Sequence, residues 1–157
     1  MKQFINLLYH YLIVILLIGC EANAPIKEIS DGKLNGYDYI DLGLSVKWAT
    51  CNIGATSPEK YGNYYAWGEA KPKSTYHWGT YKHCDEYSNN SSVHLTKYNY
   101  NNNYGNIDNR ITLFYEDDAA HVNLGDGWRL PTDSEVNELR NDCTWEWTTQ
   151  KGVWGYK

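Results

Sequence analysis

The chain has 157 residues, with 14 Lys or Arg against 19 Asp or Glu and a formal net charge of −5. That length suits one domain with a core of its own. The basic residues are scattered singly, so no positive face exists to neutralise phosphates, and nucleic-acid binding is disfavoured. Peripheral membrane binding through a basic patch is disfavoured for the same reason.

The chain opens on "MKQFINLLYHYLIVILLIGC", with Lys2, an apolar run from Tyr11 to Ile18, and then Leu17-Ile18-Gly19-Cys20. The run is short for a membrane span and ends in small residues, so residues 1–19 read as a secretory signal rather than an uncleaved anchor helix. The last four residues resemble a bacterial lipobox. That resemblance implies cleavage before Cys20, a lipid on its thiol as the membrane contact, and location at the cell outer membrane or cell surface. Residues 20–36 are polar, carry Pro25, and read as a tether, with order expected from Tyr37.

Apolar residues alternate through "YDYIDLGLSVKWATCNIGA": Tyr37, Tyr39, Leu42, Leu44, Val46 and Trp48. This predicts a strand kinked at Gly43. A short strand is expected at Tyr64–Trp67 and another over Tyr76–Thr80. Residues 88–110 hold eight Asn and almost no aliphatics, which predicts a long surface loop.

Glu116, Asp117 and Asp118 precede Ala119-Ala120-His121-Val122, so the carboxylates suit a helix N-terminus, with Gly125 or Gly127 as its stop. Thr132 and Glu135 have capping-box spacing, and Val136, Leu139 and Cys143 form one apolar stripe on the helix they begin. Arg129, Leu130 and Pro131 form a structural clamp leading into that helix. Trp145 and Trp147 alternate around Glu146 in a strand, and Gln150-Lys151-Gly152 can turn it into a hairpin with Val153–Tyr156.

The chemistry-bearing residues form no recognisable catalytic or metal motif. His77, His83, Cys84, His94 and His121 are irregularly spaced, and Asp108, Asp117 and Asp118 lie outside any calcium-loop pattern. No metal or cofactor is therefore expected. Asp117 and Asp118 are adjacent and point in different directions, unlike the facing carboxylates of a glycosidase. With Cys20 lipidated, Cys51, Cys84 and Cys143 remain. Two could pair, although Cys51 and Cys143 read better as buried thiols.

The aromatic content stands out, with 15 Tyr and 7 Trp. Trp48, Trp67, Trp128 and Trp145 read as core that replaces scarce aliphatics. Tyr64, Tyr76, Trp78 and Tyr81 are the expected exposed set, able to stack on sugars or anchor a protein partner.

Two stretches resemble a known family. "YIDLGLSVKWATCNIGATSPEKYGNYYAWGE" (Tyr39 to Glu69) and "DDAAHVNLGDGWRLPTDSEVNELRNDCTWEWTT" (Asp117 to Thr149) are similar to the opening and middle of the Fibrobacter succinogenes major paralogous domain, found in Bacteroidetes lipoproteins. "WRLPTDSEVNEL" also resembles a stretch of formylglycine-generating enzymes, with Val136 where those usually have Trp. Together these resemblances imply an α+β, C-type-lectin-like fold of short mixed strands, two helices and long loops over residues 37–157. The paralogous family usually continues past "GYK", so the resemblance implies a domain cut short at Lys157. The expected function is a non-catalytic binding module for glycan or protein. The alternatives are an enzyme related to the formylglycine generators, whose reactive cysteines and metal site have no match here, and a non-functional truncated paralogue.

Overall fold

The computed structural model describes residues 30–88 and 92–156. The expected signal, Cys20 and the first part of the tether lie outside the described residues. The described residues form a mixed α/β structure of small antiparallel sheets and two α-helices, compatible with an α+β class. The chain divides into two compact units, Met1–Asn63 with Pro131–Lys157 and Tyr64–Leu130.

In the first unit, β1 (Gly32–Leu34), β2 (Tyr37–Ile40) and β3 (Trp48–Ala49) form an antiparallel sheet in that order. Asn35 and Gly36, with φ of 53° and 86°, make the two-residue turn that closes the Leu34↔Tyr37 pair. Such a turn matches the right-handed twist of a hairpin. Order therefore begins before Tyr37, and β1 occupies part of the stretch expected to be tether. Asp38 fastens this hairpin: it accepts from Lys33 Nζ at 2.6 Å and Ser30 Oγ at 2.8 Å, and these bonds lower its pKa.

The long strand expected beyond Ile40 is interrupted. Bends occupy residues 43–46, and only Trp48 and Ala49 rejoin the ladder. The alternation survives as burial all the same. Leu42, Leu44, Val46 and Trp48 are half-buried, while Gly43, Ser45 and Lys47 are exposed. Helix α2 (Asp133–Asp142, numbered for its place in the chain) holds the bend, because the Ser45 backbone N–H and hydroxyl both donate to the Glu138 carboxylate.

The capping box of α2 forms as its spacing requires. The Thr132 hydroxyl accepts from Glu135 N, and the Glu135 carboxylate accepts from Thr132 N at 2.7 Å. Val136 and Leu139 are buried beneath the helix. Cys143 caps its C-terminus, and burial followed by the Asp142 charge raises its thiol pKa. Beyond it, β6 (Trp147–Gln150) and β7 (Val153–Tyr156) form the terminal hairpin. Lys151 and Gly152, with φ of 47° and 82°, supply its turn. Lys151 Nζ reaches the buried Glu59 at 3.1 Å.

In the second unit, β4 (Cys84–Ser88) pairs antiparallel with β5 (Ser92–Leu95). The expected surface loop over residues 88–110 thus contains β5, while residues 96–110 are irregular apart from one 3-10 turn at Asn102–Tyr104 and are tied together by Asp108 and Asn99. The Asp108 carboxylate accepts from the backbone N–H groups of Tyr98, Asn99 and Arg110, while Asn99 is buried and bonds Asn101 N and Asn106 O. Short polar side chains here take the place of ladder partners, as the loop-like composition predicts. The strands expected at Tyr64–Trp67 and Tyr76–Thr80 do not form. Trp78–Thr80 is instead a single 3-10 turn, capped reciprocally by the His77 ring and the Thr80 hydroxyl. Helix α1 (Ala119–Leu124) begins at Asp118, whose Oδ1 accepts from Ala120 N and His121 N, and ends at Gly125 with φ of 89°.

Candidate ligand-binding site

In the second unit one lysine meets two of the four expected aromatics, Tyr76 and Tyr81, and the other two connect through them, Trp78 by its ring and Tyr64 by its backbone carbonyl. Lys73 Nζ lies over the rings of Tyr76 (5.4 Å) and Tyr81 (6.0 Å) and is held there by the Glu69 carboxylate at 2.7 Å and the Thr80 carbonyl at 2.6 Å. The Tyr76 hydroxyl donates to the Tyr64 carbonyl at 2.5 Å and accepts from Lys73 N. Trp78 meets Tyr81 edge to face at 5.9 Å. The four side chains differ in access. Tyr64 is 55% exposed, Tyr76 and Trp78 are half-buried, and Tyr81 is buried.

The expectation that Tyr81 belongs to an exposed set is therefore corrected. Its ring sits between Trp78 and His83, and burial, followed by the Glu69 charge, pushes its hydroxyl pKa up. A Tyr on an irregular segment carries no periodicity that tells inside from outside, and only packing decides. The edge-to-face series continues from Tyr81 through His83 to Tyr98.

Behind this series lies Asp117, whose side chain is fully buried. It accepts from Lys82 Nζ, from Lys97 Nζ at 2.7 Å and from the Tyr98 hydroxyl at 2.8 Å. Burial acts to raise its pKa, but the bonds from Lys82, Lys97 and Tyr98 outweigh it and hold the carboxyl well below the usual range. Tyr98 is fixed in turn. Burial and the Asp117 carboxylate push its hydroxyl up to about 12, and its backbone sits at φ 58°, a rare conformation for an aromatic residue. Asp108 secures that conformation by accepting from Tyr98 N at 2.8 Å.

Asp118 is directed elsewhere. Both its oxygens accept from Leu130 N, and it caps α1, so the two adjacent carboxylates do separate structural jobs. Among the described residues, no group of three or more His, Cys, Asp or Glu is placed to hold a metal ion. Cys51, Cys84 and Cys143 form no disulfide. No helix of the described residues is long and apolar enough to cross a membrane.

No family model, curated protein or solved structure matches the chain.

A second aromatic cluster lies on the terminal hairpin of the first unit. Trp147, Trp154 and Tyr156 are exposed by 57%, 58% and 53%. Trp147 and Trp154 are nearly parallel, at 13° with centroids 6.2 Å apart, and Tyr156 meets Trp147 edge to face at 4.9 Å. Sequence reasoning places these residues on a hairpin but does not single them out as a site. The available signal is the spacing Trp147-x-Thr149 against Trp154-x-Tyr156 across the Lys151-Gly152 turn, which puts all four side chains on one face.

Proposed function

We propose that this chain is a lipid-anchored protein of the cell outer membrane or cell surface, attached through Cys20, and that it carries a non-catalytic binding module for a glycan or protein ligand. We place its domain in the Fibrobacter succinogenes major paralogous domain family, with a C-type-lectin-like fold. The stretches from Tyr39 to Glu69 and from Asp117 to Thr149 support that placement. The binding reading rests on one observation: Lys73 lies over the rings of Tyr76 and Tyr81, and Tyr76 in turn holds the backbone of the exposed Tyr64. A preorganised aromatic group with a wet rim suits recognition, because little side-chain freedom is lost on binding. The residues best suited to acid–base chemistry, Asp117 and its lysines, are engaged in internal hydrogen bonds, which favours the non-catalytic reading.

Two experiments test this proposal. Metabolic labelling with a fatty-acid analogue should mark the wild-type chain and not Cys20→Ala; a labelled Cys20→Ala protein ends the lipid-anchor reading. For the ligand, the variant combining Tyr64→Ala and Trp78→Ala is chosen because the Tyr76 hydroxyl holds the Tyr64 backbone and its loss would disturb the fold. Glycan-array or pull-down signal should weaken about tenfold or more while far-UV circular dichroism is unchanged. Binding equal to wild type removes both rings from the site.

A further inference from the structure

Resting on the binding-module reading, we infer that the Trp147–Trp154–Tyr156 face of the terminal hairpin is a stacking platform for the pyranose rings of a neutral polysaccharide. The argument starts from the pleat. Trp147 lies opposite Tyr156 and Thr149 opposite Trp154, so these four side chains share one face, while Thr148, Gln150 and Val153 share the other. An ordinary two-faced ribbon turns its apolar side inward. Here the three large rings lie on the outer face, more than half exposed, while Thr148, Gln150 and Val153 on the other face are half-buried.

The geometry suits a flat ligand. The two indoles stack within 13° of parallel and Tyr156 meets Trp147 edge to face at 68°, so the three rings brace one another while each stays more than half exposed to a ligand. Aromatic faces carry partial negative charge. The C–H bonds on one face of a pyranose present weak positive charge to them, while its hydroxyls reach sideways to groups such as Thr149, exposed on the same face.

Size and charge select this ligand over others. A strand of four residues is roughly 13 Å long. A face that small falls far short of the about 800 Å² per partner that a stable protein interface or dimer needs. It matches two or three sugar rings. The chain's net charge of −5 and lack of a basic cluster disfavour nucleic-acid bases and anionic polysaccharides.

The test is affinity electrophoresis of the full chain, in a sugar-free detergent, through native gels containing laminarin, xylan, mannan, dextran or hydroxyethylcellulose, each compared with a plain gel. The wild type should be retarded by at least one of them. Trp154→Val keeps a β-branched apolar residue in the strand but removes the ring, and should weaken binding about tenfold or more. Trp154→Tyr, which keeps a ring, should retain much of it. Thr149→Arg, at an exposed position of the same face, should abolish retardation by covering the indoles without opening a cavity, which keeps the test decisive if Trp154→Val fails to fold.

Retardation in none of the five gels overturns the inference, as does wild-type retardation of a folded Trp154→Val or Thr149→Arg protein. Loss in the Tyr64→Ala, Trp78→Ala variant with both hairpin variants still binding also overturns it, and that result leaves the binding-module reading standing.

Discussion

Asp117→Ala is expected to destabilise the second unit by about 2–4 kcal/mol. Removing one partner from a buried ion pair costs about 3–5 kcal/mol, because the remaining charge is left uncompensated. The lower range applies here because Lys82 and Lys97 are 52% and 34% exposed and water screens part of their repulsion. The Tyr98 hydroxyl also loses the acceptor that holds it. For a unit of this size the change corresponds to a fall in melting temperature of roughly 10–25 °C, readable by near-UV circular dichroism of the Tyr81–His83–Tyr98 series.

The same residue sets a pH dependence whose sign is fixed. The folded pKa of Asp117 lies below its ordinary 3.8. Its stabilisation is therefore complete above about pH 4 and is lost as pH falls through the lower folded value. The stability gap between wild type and Asp117→Ala should be constant from pH 7 to about 5 and should narrow below 3.8. A gap under about 1 kcal/mol at pH 7, or one that widens in acid, would show that the lysines do not depend on this carboxylate.

Leu139→Ala is expected to cost the first unit about 2–5 kcal/mol, the range for deleting a fully buried leucine and leaving a cavity. Leu139 has no exposed surface, and only it and Val136 are buried on α2. The helix has ten residues. Helices shorter than about 12–15 residues are marginal without tertiary packing. Once Leu139 is truncated, the buried Val136, the capping box and the Glu138–Ser45 bonds are what remain to hold the helix. Leu139→Met, which nearly conserves volume, should cost less than about 1.5 kcal/mol. Urea denaturation followed by far-UV circular dichroism separates the two variants. Equal midpoints would mean that the site is not close-packed.

Several elements were legible because their causes lie within a few residues of one another. Thr132 and Glu135 are one helical turn apart, so their reciprocal caps follow from spacing. Asp118 before Ala119, Gly125 after Leu124, and a turn near Gln150-Lys151-Gly152, which the structure narrows to Lys151-Gly152, are likewise local signals. The Asn35-Gly36 turn is equally local, but the polar residues around β1 hide it among what reads as tether.

Other features depend on residues that chain distance separates. Lys82 and Lys97 lie 35 and 20 residues from the carboxylate they share, and no pattern near Asp117 announces them. Strand β5 is hidden in an Asn-rich stretch because it forms on the template of β4. The aromatics mark the boundary most clearly. Alternation along β6 and β7 decides which rings share a face, because side chains change sides at every residue. Which face meets water is a property of what packs behind the ribbon. By itself the sequence determined a hairpin with Trp147 on one arm and Trp154 and Tyr156 on the other; the two-residue Lys151-Gly152 turn, one residue shorter than the expected Gln150–Gly152, set the register that brings the three rings onto one face. Tertiary packing alone decided that they face outward while Tyr81 is buried, because burial depends on partners that arrive from elsewhere in the chain.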